Sequence, residues 1–189
     1  ALKTFDWGTD RSALNPIDEA IVATQGDAAA RLELENRLAA VLKTDVSRDA
    51  RDFVCRKLMI IGTAACVPTL AELLPQEENS HMARYALERI NAPEAAKAMR
   101  DALPKLSGNL KIGVIGSLGV RQDGESVQPL AALLGDADAA IARSAAIALG
   151  AIRSADAAKT LQKADSVNAE AKLAVVDAIL MCAEGMLAD

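Results

Sequence analysis

The chain is expected to fold as an all-α superhelix, a right-handed solenoid of antiparallel helix pairs. Three observations carry that expectation. A helix-length stretch ending in an apolar residue and then Gly or Asn recurs about every thirty residues, at 51–62, 80–91, 108–119 and 139–150. A second apolar stretch follows each of them, at 67–74, 95–103, 127–134 and 157–164. Finally, 51% of the residues are hydrophobic but only 2% are aromatic, so Ala and Leu carry the apolar content. That composition suits closely packed helices and argues against a sheet, which favours β-branched and aromatic residues.

Residues 1–14 show no clear period and hold Phe5, Trp7 and Gly8, which makes them an N-terminal arm, either a linker or a strip covering the end of the array. Asn15 and Pro16 form a helix start, a capping side chain before a proline at the first helical position. Ile17, Ala20, Ile21 and Thr24 then fall at helical spacing, and Gly26 ends the segment. Asp27 caps the next helix, in which Leu34, Leu38, Val41 and Leu42 line one face. This pair, 15–46, departs from the later motif and reads as a cap, because a terminal repeat turns one side to water. Four units follow at 47–78, 79–106, 107–138 and 139–165, with a partial fifth, so the repeat block is 47–189. In each first helix the terminal Gly or Asn (Gly62, Asn91, Gly119, Gly150) is expected to take the C-cap, where a left-handed backbone is tolerated. A longer beat is also present. Val67 and Val127 stand sixty residues apart, and Ala83-Arg84 precedes Ala142-Arg143 by fifty-nine. Units one and three therefore resemble each other, as do two and four, the pattern that duplication of a two-unit block produces.

The stretch Ala142-Arg143, Ala145-Ala146, Leu149-Gly150, together with the paired leucines and acidic turns at 73–78 and 133–138, resembles the short HEAT repeat. Its length is similar to the HEAT-like repeats first named for phycobilisome lyases, and 81–88 resembles units of large bacterial HEAT-repeat proteins. The resemblance covers residues 47 to about 180. It implies the helix-pair architecture and is nearly silent on chemistry, since the family includes many scaffolds and few enzymes.

Several chemistries are excluded by composition. The net charge is −5 with no basic block, which is a poor basis for binding a phosphate backbone. A HEAT-type glycosylase needs a basic groove with aromatics to hold an extruded base, and four aromatics, two of them in the arm, do not build one. A bilin-lyase reading lacks an acid-plus-aromatic pocket. No apolar run approaches a membrane span. Cys55, Cys66 and Cys182 are odd in number and form no CxxC pair, so they read as small buried residues and not as a disulfide framework. His81 is the single histidine, beside the acidic loop Glu77-Glu78-Asn79, and reads as solvated. The resemblance bears on the same point: HEAT-repeat hydroxylases that carry iron use repeated His-Glu pairs, whereas Met82 follows His81 here. No metal and no cofactor is expected. Gly113, Gly116 and Gly119 are read as clearing one side of a helix for a neighbour. Arg84 and Arg143 hold equivalent positions and are expected to pair with the acids before them, Glu77 and Glu78 in one case, Asp136 and Asp138 in the other.

What remains is the row of second helices, which lines the concave side in HEAT arrays. Its outward positions are read as Thr69 and Glu72, then Lys97, Arg100 and Asp101, then Gln128 and Ala132, then Lys159, Gln162 and Lys163. The candidate partner-binding set is Lys97, Arg100, Asp101, Gln128, Lys159, Gln162 and Lys163, against the plainer reading of a solvated face. Its cationic stripes in units two and four can engage a protein or peptide partner, an acidic one above all. The function expected on these grounds is a non-catalytic scaffold for protein–protein interaction, not an enzyme. The alternative is an accessory or lyase-like HEAT protein that shapes a ligand pocket. A pocket with converging polar groups would favour the alternative, and an open groove the scaffold. The chain opens on Ala1 and stops as a first helix re-forms, which reads as a fragment of a longer polypeptide, cytoplasmic or exported, with any targeting signal upstream.

Overall fold

The computed structural model describes residues 2–188. Among these residues every regular element is helical, eleven α-helices joined by short turns, six of them 3-10, and there is no strand. The fold is an all-α helical repeat. The chain divides into two compact units, residues 1–98 and 99–189. No helix among the described residues is long and apolar enough to cross a membrane.

The first unit contains α1 (Asn15–Ala23), α2 (Ala28–Leu42), α3 (Arg48–Ile61), α4 (Val67–Ala71), α5 (Ser80–Arg89) and the first part of α6 (Pro93–Ala102). Successive helices pack in order, α1 on α2, α2 on α3, α3 on α5 and α4 on α5. Asp27 caps α2 as expected, accepting the Ala30 amide at 2.9 Å. Asn15 does not cap α1. A 3-10 turn at Ser12–Leu14 runs straight into the helix, so Asn15 already has helical dihedrals (φ −51°, ψ −38°) and its side chain caps nothing. Gly26 ends the segment in the left-handed region, at φ 83°. The arm behaves as a strip on α3. Phe5 is buried, stacks edge-on against Trp7 and Phe53 at 5.2 and 5.7 Å, and its carbonyl accepts the Ser47 hydroxyl at 2.6 Å. Ser47 in turn caps α3 through the Ala50 amide. The Trp7 indole donates to Asp52 at 3.0 Å and its backbone N–H to Asp49 at 3.1 Å.

The second unit continues from the end of α6 through α7 (Gly108–Val120), α8 (Val127–Ala131), α9 (Ala139–Ile152), α10 (Ala155–Gln162) and α11 (Lys172–Ala188). The core sits where α9 is gripped between α7 and α11, with α8 and α10 alongside. Val114, Leu118, Leu130, Ala142, Ala145, Leu149 and Ala157 are fully buried there.

Two features of the helix ends depart from the sequence expectation. Gly119 and Gly150 lie inside α7 and α9 instead of capping them; the left-handed residues are Gln122 and Arg153, each at φ 53°. The glycines serve close approach. A Cβ on Gly119 would stand 2.9 Å from the Ala148 Cα, and one on Gly150 would stand 2.8 Å from the Ala178 Cα. The second departure concerns α4 and α8, which are five residues long and not eight. Beyond them the backbone tightens to i→i−3 bonds, Leu73 to Leu70 and Leu74 to Ala71, then Leu133 to Leu130 and Leu134 to Ala131.

The proposed glycine ladder of α7 holds only in part, because a Cβ on Gly116 would meet nothing within 4 Å. The two glycines should thus respond oppositely to alanine. Gly116→Ala is expected to stabilise by about 0.5–1 kcal/mol through helix propensity. Gly119→Ala, forced against the Ala148 backbone, is expected to destabilise by about 1–3 kcal/mol. Chemical melts giving both substitutions the same sign would overturn this reading of the α7–α9 contact.

Candidate functional site

The structure brings together three of the seven candidate residues. Gln128 on α8 and Lys159 and Lys163 on α10 and its C-cap line one cleft of about 990 Å³ within the second unit. Its two walls differ. The α10 wall is a single helical stripe, Asp156, Lys159, Thr160 and Lys163 at i, i+3, i+4 and i+7, all on one face by helical geometry. The α8 wall combines the small Gly124, Ala131, Ala132 and Gly135 with Val127 and Leu134, and Gln128 is its one long polar group. Ser154 starts the charged wall, accepting the Ala157 amide at 3.1 Å, and the buried Ala157, Ala158 and Leu161 hold α10 against the core.

The floor is fixed by Asn168. Its side-chain amide donates to the Asp136 carbonyl at 3.0 Å and its backbone N–H to the Leu134 carbonyl at 2.9 Å. Asp136 Oδ1 accepts the Asp138 amide at 2.9 Å, and Asp138 caps α9 at Ala140. These two aspartates serve the start of α9 and not Arg143, which is exposed. The equivalent Arg84 is half-buried. Burial pushes its pKa down and Glu88 pushes it back up, and its guanidinium lies 3.4 Å from His81 Nδ1.

The other candidates fall elsewhere. Lys97 is exposed on α6 in the first unit, and Asp101 and Gln162 are exposed outside the cleft. Arg100 is already paired within the second unit. Its guanidinium is clamped by Asp123 and Glu125, and Asp123 also accepts from Ser126. Thr69, read as outward, is buried, because the C-terminal end of α2 packs over α4.

Sequence reasoning missed one buried carboxylate. Glu35 is fully buried on α2 and accepts from the Thr63 amide (2.8 Å), the Thr63 hydroxyl (2.9 Å) and the Cys66 amide (3.0 Å), tying α2 to the turn that starts α4. The signal was present, since Glu35 stands on the stripe of Leu38, Ala39 and Leu42 that faces the core. All three cysteines are buried and free. Burial, with Asp52 for Cys55 and Glu35 for Cys66, pushes those two thiols up to about 12, so neither supplies a thiolate nucleophile near neutral pH. His81 is exposed, and among the described residues no three His, Cys, Asp or Glu side chains come together to hold a metal. With His81 its single histidine and Met82 next to it, the chain cannot supply the repeated His-Glu donor set of iron-bearing HEAT hydroxylases.

Residues 102–179 match the family of HEAT repeats. The chain is also similar to the solved structure of human deoxyhypusine hydroxylase in complex with glycerol, at 22% identity and a TM-score of 0.56, over 93% of this chain and 75% of that one. No curated protein matches the sequence. The structural likeness shows the fold, and it corrects the functional expectation. Nearly the whole chain shares its architecture with an enzyme. The inference from helical repeats to a non-catalytic scaffold, and with it the expectation that the protein is not an enzyme, does not stand.

Proposed function

We propose that this chain is an accessory or lyase-like HEAT protein that holds a ligand in the cleft between α8 and α10. One observation carries the reading: Lys159 and Lys163 stand one turn apart in that cleft, and neither ammonium has an ion pair or hydrogen bond among the described residues. The polar groups Gln128, Lys159 and Lys163 line the same cleft. The ligand is polar and carries an anionic group for the two lysines, with Gln128 able to donate from the opposite wall. Asp136, Asp156 and Asp165, which also line the cleft, disfavour a ligand charged negatively along its whole length. The small residues of the α8 wall let the ligand lie close to the backbone. The thirty-residue period is that of the phycobilisome-lyase type of repeat, and this supports the repeat length without adding a substrate.

The test is calorimetric titration of the protein with citrate, inorganic phosphate and an acidic peptide. At least one small anion should bind, and the Lys159→Ala/Lys163→Ala variant should bind it tenfold or more weakly, a loss of about 1.4 kcal/mol or greater. Because both side chains are exposed, the melting profile should not change. Unchanged affinity in the double variant, or no small anion bound by the wild type, would sink the pocket reading; capture of the peptide alone would assign the cleft to a polypeptide.

A further inference from the structure

Pro129 and Leu133 lie on the side of α8 and its following turn away from the cleft, and they face a second and smaller hollow. Leu103 and Pro104 form its other wall, and Arg100 and Lys111 stand at its rim. Its volume is about 230 Å³, and none of its lining residues belongs to the cleft described above. Dry apolar cavities of roughly 150 Å³ hold benzene, so a phenyl or branched alkyl group with a short tail fits. The walls are almost wholly apolar, and two prolines with fixed φ make them rigid before anything binds.

The rim cations are not equivalent. Arg100 already faces two carboxylates, Asp123 and Glu125, and so offers a ligand no unmatched positive charge. Lys111, half-buried on α7, has no ion pair or side-chain hydrogen bond among the described residues. A lysine at the mouth of an apolar hollow is complementary to a group that is apolar at one end and anionic at the other. We propose that this hollow binds a small apolar carboxylic acid, with its aryl or branched alkyl group between Leu103, Pro104, Pro129 and Leu133 and its carboxylate on Lys111. A free acid fits better than a polypeptide. Walls without hydrogen-bonding groups would leave peptide amides unpaired, and the volume admits a single side chain.

The experiment is a nuclear magnetic resonance titration of the whole chain with 3-phenylpropionate, with 3-phenylpropionamide and 2-phenylethylamine as controls. The acid should shift the amides of 103–111 and 130–133 in a saturable way and bind at least fivefold more tightly than the amide, and the amine should not bind. Lys111→Met, which keeps the stem and removes the charge, should bring the acid down to the affinity of the amide. Leu133→Glu, which removes apolar surface from the hollow and puts a carboxylate where the ligand's would be repelled, should weaken the acid at least fivefold while the spectrum stays folded. Equal binding of acid and amide, unchanged affinity in Lys111→Met, or undiminished binding in a folded Leu133→Glu protein would each overturn the proposal.

Discussion

Truncating Leu130 to alanine is expected to cost about 2–5 kcal/mol, the largest single loss foreseen for the second unit. Leu130 has no exposed surface. It sits in α8, which is only five residues long and stays in place by packing, because no side chain caps its start and its ends pass directly into tight turns. So short a helix has no stability of its own, and the leucine is its main anchor beside Val127 and Leu134. The methyl groups removed leave a cavity that α9 and α10, themselves packed on α11, cannot close. Circular dichroism melts in denaturant should show the midpoint fall with the slope kept. A loss below about 0.5 kcal/mol would mean that the wrong face of α8 has been placed inside.

Replacing Glu35 by alanine is expected to cost about 2–4 kcal/mol in the first unit. The substitution strips acceptors from the Thr63 amide, the Thr63 hydroxyl and the Cys66 amide. Water can reach Thr63, which is exposed, but not Cys66, which is fully buried, and a buried donor left unsatisfied costs about 1–3 kcal/mol. Glu35→Gln keeps one carbonyl oxygen for these donors and should lose about half as much. Trp7 is the single tryptophan and is hydrogen-bonded to α3, so its fluorescence reports this unit directly. An alanine variant as stable as the wild type would show that the carboxylate does not hold α2 to the turn before α4.

These two residues also mark how far the sequence can be read. Leu130 belongs to an apolar stripe, and stripes reveal themselves through spacing alone; α3, α5, α7 and α9 all formed within a few residues of the expected stretches. Glu35 stands on such a stripe as a charged residue, and its meaning depends on two amides about thirty residues further on. Arg100 failed in the same way. On a helical wheel it points outward, but the acids that engage it are Asp123 and Glu125, beyond the next helix. Gly119 and Gly150 were misplaced because a glycine ending a helix and one admitting a neighbour look alike in one dimension, and only the position of Ala148 or Ala178 separates the two. Half of the cleft was legible. The lysines at 159 and 163 share a face by periodicity, whereas the small-residue wall opposite them exists only once α8 and α10 are side by side.

The contacts of Gly119 with Ala148 and of Gly150 with Ala178 impose a grammar on how such units can be recombined. Ala148 lies two residues before Gly150 in α9, so the same step from Ala178 in α11 reaches Leu180, which is exposed. A helix of the α9 kind can both receive a predecessor and offer a glycine to a successor, whereas α11 can only receive. Grafting another copy of α9 directly onto α11 would set a leucine against an alanine backbone that expects a hydrogen atom. Unit-shuffling in this chain is therefore directional: α7 and α9 are transmitting modules, α11 is a receiving one, and an array lengthened by design would need glycine at 180 before the next helix could seat.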